Sequence, residues 1–306
     1  MITKLLMNLF VLASGILAFY VVAEKRTFGV EPSSAEQSDA FPLKENGQLI
    51  KIFVLTGQSN SLGTTADANE RDITPGNDPL DATIPFFWTN RSTRAGDGPA
   101  VLYDSSGGKI VTLRAQKGEG KDLLFWGPEI GFARQLAANG VKDFLMVKAS
   151  RGGGGNSFWL KANQDNHMYR HVVDTVNSAI NALPKNSRFE IAALIYVQGE
   201  SDNAVEAAAA GERLRTLAAN LRTDLPNAKK MKVLIGGIAT AGNGEIVRAQ
   251  QSALAQLDPT FRYVDTLDLR NQRYDNLHFS KPAKLELGKR LANEWLMSEK
   301  GRRQRK

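Results

Sequence analysis

Short apolar runs alternate with amphipathic stretches from residue 49 to the C-terminal end of the chain. Residues 49–56 are apolar at nearly every position, which is typical of a parallel strand buried on both faces. Runs of this kind predict five strands, at residues 49–56, 144–149, 191–197, 233–238 and 263–264. Amphipathic patterns and their start and stop signals predict helices at 128–139, 168–183, 204–225, 245–257 and 281–297.

This alternation of strands and helices predicts an α/β fold in which a parallel sheet is covered by helices on both faces. The pattern is interrupted by a long glycine-rich stretch at residues 60–122, which fits either an elaborated active-site loop or a small strand insertion. Residues 48–298 are therefore expected to form one domain.

The two ends of the chain differ from this domain in composition. Lys4 precedes an apolar run at residues 5–23, so residues 1–23 fit either a cleaved signal peptide or an uncleaved membrane anchor. Both alternatives predict export, to the periplasm or the medium. Residues 24–47 predict a linker, and residues 299–306 a basic tail.

Charge and cysteine content exclude several classes of function. The net charge of +7 comes almost entirely from the leader and the tail, which leaves the domain nearly neutral. A nucleic-acid enzyme would carry its basic surface on the folded domain, so no nucleic-acid partner is expected. The chain has no cysteine, which excludes disulfides, thiolate metal sites, a cysteine nucleophile and lipidation at an N-terminal cysteine.

Polar residues follow four of the apolar runs. In a parallel sheet, ligands bind beyond the carboxyl ends of the strands, so these residues are expected to meet at one edge. The four segments are Gly57-Gln58-Ser59-Asn60, Arg151-Gly152-Gly153, Gln198-Gly199-Glu200 and Asp275-Asn276-Leu277-His278.

Ser59 and His278 have the residue types and places needed for acyl transfer. Ser59 directly follows a strand, where a sharp turn can expose a hydroxyl, although a serine in this place is more often a helix cap than a nucleophile. His278 lies three residues after Asp275, a spacing that lets the carboxylate reach the imidazole; helix capping is the alternative. Gln198 and Glu200 end a buried strand and fit either the site or a structural network.

The other two histidines, His167 and His171, are four residues apart near a helix start. They fit a metal pair in spacing, but no third ligand follows from the sequence, so surface or substrate-facing positions and no metal are expected. The glycines at 152–155 lack the Lys-Ser or Lys-Thr of a phosphate-binding loop, which excludes a nucleotide site of that kind.

In their order along the chain, five segments resemble the SGNH-hydrolase superfamily, and within it carbohydrate esterase family 6 and the sialate O-acetylesterase-like proteins. The resemblance spans residues 50–295. It rests on Gly57 to Asn60, Trp126-Gly127-Pro128-Glu129, Lys148 to Gly153, Tyr196 to Asp202 and Asp275 to His278. It implies a three-layer α/β/α sandwich of flavodoxin-like type, with a five-stranded parallel sheet.

The resemblance also implies roles for individual residues. Ser59 is the nucleophile and His278 the base, and the oxyanion is held by the backbone of Ser59, the backbone of Gly153 or Gly152, and the Gln198 side chain. The run of four glycines departs from the family pattern and leaves the choice of glycine open. Asp275 is favoured as the acid that orients His278, with Glu200 binding the Ser59 loop or sharing that role. The candidate substrate contacts are Gln58, Asn60, Glu129 and Arg151.

The sequence therefore predicts an exported serine esterase that hydrolyses acetyl esters of carbohydrate without a cofactor. Acetylxylan is the first expected substrate and O-acetyl sialate the second. The alternative is a non-catalytic carbohydrate-binding protein on an esterase scaffold. A membrane partner is expected only if the N-terminal segment stays uncleaved.

Overall fold

The computed structural model describes residues 41, 43, 47–64, 75, 78–91, 102–118, 124–163, 167–273 and 275–303. The predicted signal peptide or anchor and most of the predicted linker lie outside these residues, as does the end of the basic tail. Among the helices described, none is both long and apolar enough to cross a bilayer.

The described part of the chain contains ten strands. They are β1 (Leu49–Gly57), β2 (Pro85–Arg91), β3 (Leu102–Ser105), β4 (Val111–Thr112), β5 (Gln116–Lys117), β6 (Leu124–Phe125), β7 (Phe144–Arg151), β8 (Arg188–Val197), β9 (Lys232–Gly236) and β10 (Phe261–Val264).

Seven α-helices accompany these strands. They are α1 (Ser59–Leu62), α2 (Glu129–Ala138), α3 (Met168–Asn181), α4 (Ala204–Ala208), α5 (Ala210–Asp224), α6 (Asn243–Leu257) and α7 (Lys281–Arg303). Three 3-10 helices cover Pro79–Thr83, Asn156–Trp159 and Leu267–Gln272.

The main sheet has the order β10-β9-β8-β1-β7-β2-β3, with β4 also paired to β2. Strands β10 to β2 in this order are parallel, while β3 and β4 run antiparallel to β2. The expectation of five strands is therefore wrong, although all five predicted strands are present. The additional parallel strand, β2, begins with Pro85 and ends in Thr89-Asn90-Arg91, so its apolar run is too short to stand out.

The sheet separates two apolar cores, as a three-layer sandwich requires. Along β1, Ile52 and Val54 pack toward α3 and α5, whereas Phe53 and Leu55 pack toward α2 and α7. All four side chains are fully buried, and each such burial stabilises the fold by about 1.5–3 kcal/mol. The predicted α/β/α architecture is confirmed.

Two helix boundaries differ from the expected ones. The alanine-rich stretch predicted as one helix forms α4 and α5, which are separated at Ala209, where φ is −98° and ψ is 2°. Asn203 and Glu206 close a capping box at the start of α4. At the C-terminus, α7 continues to Arg303, so the predicted tail begins as helix. Glu299 on this extension binds Lys232 of β9 at 2.8 Å, which fixes it to the domain.

Candidate active site

The turn after β1 places Ser59 at the first position of α1. Gly57 has a φ of 146°, and a Cβ there would lie 1.9 Å from the carbonyl oxygen of Val197 in β8. Only glycine fits this close approach. Gln58 N then donates to Val197 O at 3.2 Å, and α1 begins directly afterwards. The sharp turn therefore holds Ser59 at the carboxyl end of the central strand.

Two buried lysines fix the other end of α1. Lys148 Nζ of β7 donates to Leu62 O at 2.8 Å, and Lys284 Nζ of α7 donates to Gly63 O at 3.0 Å. Both side chains are fully buried, and burial lowers the pKa of Lys148 against the opposing effect of Glu129. The carbonyl groups at the end of this short helix are thus satisfied by two cations from distant elements.

Glu129 is the buried counter-ion of Lys148, at 2.8 Å. Its carboxylate also accepts from Gly127 N at 2.9 Å, and the residue has no exposed surface. The Glu129 carboxylate thus faces into the core, which disfavours the predicted substrate contact there. Removing one partner of such a pair costs about 3–5 kcal/mol.

Asp275 and His278 meet in a loop before α7. Residues 275–279 are called the histidine loop below. His278 Nδ1 lies 2.8 Å from Asp275 Oδ2, and Asp275 Oδ1 accepts from the backbone N–H groups of Leu277 at 2.7 Å and His278 at 2.5 Å. Burial alone raises the pKa of Asp275, but these hydrogen bonds outweigh it and lower the pKa to about 2. An ionised carboxylate on Nδ1 favours the tautomer that leaves Nε2 as the proton acceptor.

Asn60 joins the histidine loop to the turn that carries Ser59. Asn60 Oδ1 accepts from Phe279 N at 2.9 Å, and Asn60 Nδ2 lies 3.3 Å from Leu277 O and 2.6 Å from Glu200 Oε1. The residue is 1% exposed. The Asn60 amide is occupied by protein groups on both sides, which disfavours the predicted substrate contact there.

Glu200 follows β8 and contacts Asn60, whereas Asp275 contacts His278. Burial of the Glu200 carboxylate raises its pKa to about 7, against the opposing effect of the hydrogen bond from Asn60. Of the two acids considered for His278, the structure thus places Asp275 at the imidazole and Glu200 at the Ser59 turn.

Gln198 is part of a buried polar network at the end of β8. Its Nε2 donates to Asp202 Oδ1 and to Gly154 O, both at 3.1 Å. Asp202 also accepts from the backbone N and side-chain Nδ2 of Asn156, at 2.9 and 2.7 Å, and burial raises the pKa of Asp202 to about 6. The Gln198 amide therefore points to protein acceptors, so holding an oxyanion requires one of these bonds to open.

The later two glycines of the run 152–155 are explained by packing. A Cβ on Gly155 would lie 2.0 Å from the Glu206 carboxylate, and one on Gly154 would lie 2.4 Å from the Phe158 ring. Gly152 is buried and Gly153, with a φ of 59°, is partly exposed at the end of β7. Gly153 is thus the more accessible of the two glycines considered for the oxyanion.

Arg151 and Gln58 are also buried. The Arg151 guanidinium lies 4.4 Å from the centre of the Phe158 ring, and the residue is 1% exposed, which disfavours the predicted substrate contact there. Gln58 Oε1 accepts from Ser201 N at 3.3 Å. Gln58 Nε2 is buried without a hydrogen-bond partner in the described part of the chain, which leaves one donor at the edge of the Ser59 turn.

The two remaining histidines lie apart from this arrangement. His171 is buried, its Nε2 lies 3.1 Å from Thr89 O, and burial, with the charge of Arg91, lowers its pKa to about 4. His171 was expected at the surface or facing the substrate, and the structure instead buries it against β2. His167 is the residue before α3 and has a φ of 51°. In the described ranges, no three His, Asp or Glu side chains are grouped to hold a metal ion.

Several residues that build the site were not predicted to do so. Their roles depend on contacts between distant segments. Asn60 links the Ser59 turn to the histidine loop, Asp202 and Asn156 form the network with Gln198, and Lys148 is the partner of Glu129. Only Lys148 carries a sequence signal, because a charge inside an apolar strand requires a buried partner.

Comparisons with solved structures show the same fold in other proteins. A protein from Arabidopsis thaliana has 22% identity and a TM-score of 0.58, over 82% of this chain and 99% of that one. XAC1771, a carbohydrate acetylesterase from Xanthomonas citri, has 19% identity and a TM-score of 0.56, over 79% and 54%. NanS has 15% identity and a TM-score of 0.53, over 83% and 98%.

A search of curated protein sequences finds no match. The model of one protein family, described as carbohydrate esterase, sialic acid-specific acetylesterase, matches residues 49–297. This range contains all five segments on which the resemblance to SGNH-type carbohydrate esterases rests, and that resemblance is confirmed. Since the match covers most of the chain, the protein belongs to the family of carbohydrate esterases described as sialic acid-specific acetylesterases, and it is a carboxylic ester hydrolase acting on acetylated carbohydrate.

Proposed function

We propose that Ser59, His278 and Asp275 form the catalytic triad of this carbohydrate acetylesterase. The observation that carries the proposal is the 2.8 Å contact between Asp275 Oδ2 and His278 Nδ1, in a loop that Asn60 binds directly beside Ser59. A serine at the end of a strand, an imidazole, and an acid that binds the imidazole are the parts that acyl transfer requires.

In the proposed reaction, Ser59 Oγ attacks the acetyl carbonyl carbon while His278 Nε2 takes the hydroxyl proton. The tetrahedral oxyanion accepts hydrogen bonds from the backbone N–H groups of Ser59 and Gly153. Collapse breaks the ester bond, and His278 gives its proton to the departing sugar oxygen. Water, deprotonated by His278, then attacks the acetyl-enzyme, and acetate leaves as Ser59 regains its proton.

The nature of the sugar is the finer part of the proposal. Acetylxylan is the substrate that the resemblance to carbohydrate esterase family 6 favours. O-acetylated sialic acid is the second candidate, because the matching family model describes sialic acid-specific acetylesterases. Both substrates present an acetyl ester on a sugar hydroxyl, so the same three residues serve either one.

The test measures acetate released from acetylated xylan, pectin, chitin fragments and O-acetyl sialic acids, by the wild type and by Ser59→Ala. We expect release from at least one sugar by the wild type and a loss of several orders of magnitude in Ser59→Ala, with little change in Tm. Activity of Ser59→Ala within tenfold of the wild type would contradict the triad. Binding of a sugar without acetate release would instead favour a non-catalytic carbohydrate-binding protein.

Export is a separate part of the proposal, and it rests on the apolar run at residues 5–23. We expect the esterase activity in the periplasm or the medium, or in the membrane fraction if the run stays uncleaved. Fractionation of cells that express the full chain, followed by an acetyl ester assay, distinguishes these from activity confined to the cytosol, which would contradict export.

A further inference from the structure

Asp275 and Asn60 constrain His278 in different ways. The bonds from Asp275 to Leu277 and His278 span two or three residues, so they orient the imidazole within its own loop. They move with the histidine loop and do not fix its distance from Ser59. The bonds from Asn60 cross from α1 to that loop and connect segments more than two hundred residues apart.

We infer that Asn60 is the positioning residue that holds His278 against Ser59, and that Glu200 acts on His278 only through Asn60. The inference rests on the proposed triad. Asn60 binds the residue before His278, through Leu277 O, and the residue after it, through Phe279 N. Because both neighbours of His278 are bound to Asn60, the position of the His278 backbone relative to α1 is fixed.

The rest of α1 gives Asn60 a rigid base. Gly57 permits the close turn against β8, and Lys148 and Lys284 bind the carbonyl groups at the other end of the helix. Since Ser59 and Asn60 are consecutive in this short helix, a hydrogen bond to Asn60 sets a position relative to Ser59. The link from nucleophile to base is therefore short and contains no mobile side chain beyond the Asn60 amide.

An amide is the group that this position requires. Phe279 N needs an acceptor, while Leu277 O and Glu200 Oε1 both need a donor. Asparagine offers both in one planar group, aspartate offers no donor when ionised, and alanine offers neither.

Glu200 determines which way the amide faces. Its Oε1 lies 2.6 Å from Asn60 Nδ2 and accepts from that N–H group, so the amide oxygen is directed to Phe279 N. Glutamine at this position keeps an acceptor at the same place. The contact of Glu200 is with Asn60 and that of Asp275 is with the imidazole, so their substitutions are expected to differ in kind.

The experiment compares kcat and KM for p-nitrophenyl acetate in Asn60→Ala, Glu200→Gln, Glu200→Ala and the double variant Asn60→Ala/Glu200→Ala. A displacement of about 1 Å costs roughly 10²-fold in rate, so we expect that loss in kcat for Asn60→Ala with KM nearly unchanged. Glu200→Gln is expected to stay within roughly tenfold of the wild type because the acceptor remains. The double variant is expected to be no slower than Asn60→Ala, since Glu200 then has nothing to act through.

Asp81→Asn is the matched control. It weakens a partly buried pair with Arg134, whose two hydrogen bonds are 2.8 and 2.7 Å. Asp81 precedes the amino end of β2, so this pair lies at the opposite end of the parallel strands from Ser59. We expect it to lower Tm without changing kcat per folded molecule. Asn60→Asp, which keeps an acceptor for Phe279 N and loses the donors, is expected to lower kcat as Asn60→Ala does, and it serves if the alanine variant does not fold.

Three results would overturn the inference. These are an unchanged kcat in a folded Asn60 variant, a loss in Glu200→Gln as large as in Asp275→Asn, and additive losses in the double variant. Ser59→Ala and His278→Ala, measured alongside, separate this failure from failure of the triad. If those two variants are inactive while Asn60→Ala is not, only the positioning role is wrong.

Discussion

The two carboxylates considered for the proposed triad, Asp275 and Glu200, lie in opposite environments. Asp275 is in an exposed part of the histidine loop, and its hydrogen bonds lower its pKa to about 2. Glu200 follows β8, and burial of its carboxylate raises its pKa to about 7. Asp275 is therefore ionised throughout the neutral range, whereas Glu200 is close to its midpoint there.

This difference indicates which acid suits which task. Stabilising an imidazolium requires a charge that is always present, and the exposed Asp275 supplies it at little desolvation cost. Orienting a neutral amide requires only a fixed acceptor, and the buried Glu200 is rigidly placed at the end of the sheet. An exposed carboxylate thus suits the role that needs a charge, and a buried carboxylate suits the role that needs a fixed position.

The largest expected effect tests the charged role. Asp275→Asn keeps the shape of the side chain but removes its charge and permits the wrong imidazole tautomer. We expect kcat for an acetyl ester to fall by roughly 10³- to 10⁴-fold. A steady-state assay on folded protein checks this. A fall of less than tenfold would show that Asp275 does not have the charged role that distinguishes it from Glu200.

A second prediction concerns the end of β8, the region of Glu200. If a bond from Gln198 Nε2 to Asp202 or Gly154 opens in the transition state, Gln198 supplies an oxyanion donor. Gln198→Ala is then expected to lower kcat by roughly 10²- to 10³-fold with a small change in KM. An unchanged kcat would show that the network is structural and that the backbone donors suffice.

A third prediction follows from the raised pKa of Glu200. A carboxyl whose pKa is raised in the folded state binds its proton more tightly there, so stability is fully present below pH 4.5 and is lost as the pH rises toward 7. Glu200→Gln carries no such charge. We expect its Tm relative to the wild type to rise between pH 5 and pH 8, by a few degrees at most. Thermal melts at the two pH values measure this, and a constant difference would contradict it.

Asp275 has the opposite pH dependence, at lower pH. Its pKa is lowered in the folded state, so its contribution is present above pH 3.8 and is lost as the pH falls toward 2. Because Asp275→Asn would also remove the ionic partner of His278, the control for Glu200→Gln is Asp268→Asn. Asp268 lies 2.6 Å from Arg290, which lowers the pKa of Asp268 and stays charged from pH 5 to pH 8. We expect the Tm of Asp268→Asn to differ from that of the wild type by a constant amount between the two pH values.

The smallest expected effect lies far from both acids. A chain ending at Glu299 keeps the bond from Glu299 to Lys232 and loses only the last turn of α7 and the basic residues beyond it. We expect its kcat for a small soluble ester to equal that of the full chain. A large loss in a truncated protein that melts normally would place the basic end of the chain near the site.

The parts of the fold that could be predicted from sequence are those set by local pattern. The runs that became β1, β7 and β8 are apolar because both faces of these strands are covered, and Ser59, His278 and Asp275 follow from residue type and spacing. β2 was missed because its polar end and initial proline weaken the run.

The roles that could not be predicted depend on contacts between distant segments. Glu129 stands in a segment typical of the family, yet only the folded chain shows that Lys148, nineteen positions later, neutralises it. Asn60 likewise acquires its role from Phe279. A pattern of residue types gives no distance between strands or loops, so the sequence alone does not separate a polar residue that contacts substrate from one that supports the site.

Because of the two lysines that bind the end of α1, the position of Ser59 depends on parts of the chain that are synthesised late. A helix of four residues is not stable alone, and the groups that hold it come from β7 and from α7, near the C-terminal end. A nascent chain whose α7 has not yet left the ribosome lacks both Lys284 and the histidine loop. Hydrolytic competence therefore arises only when synthesis is nearly finished, and loss of activity on heating should coincide with undocking of the C-terminal helix.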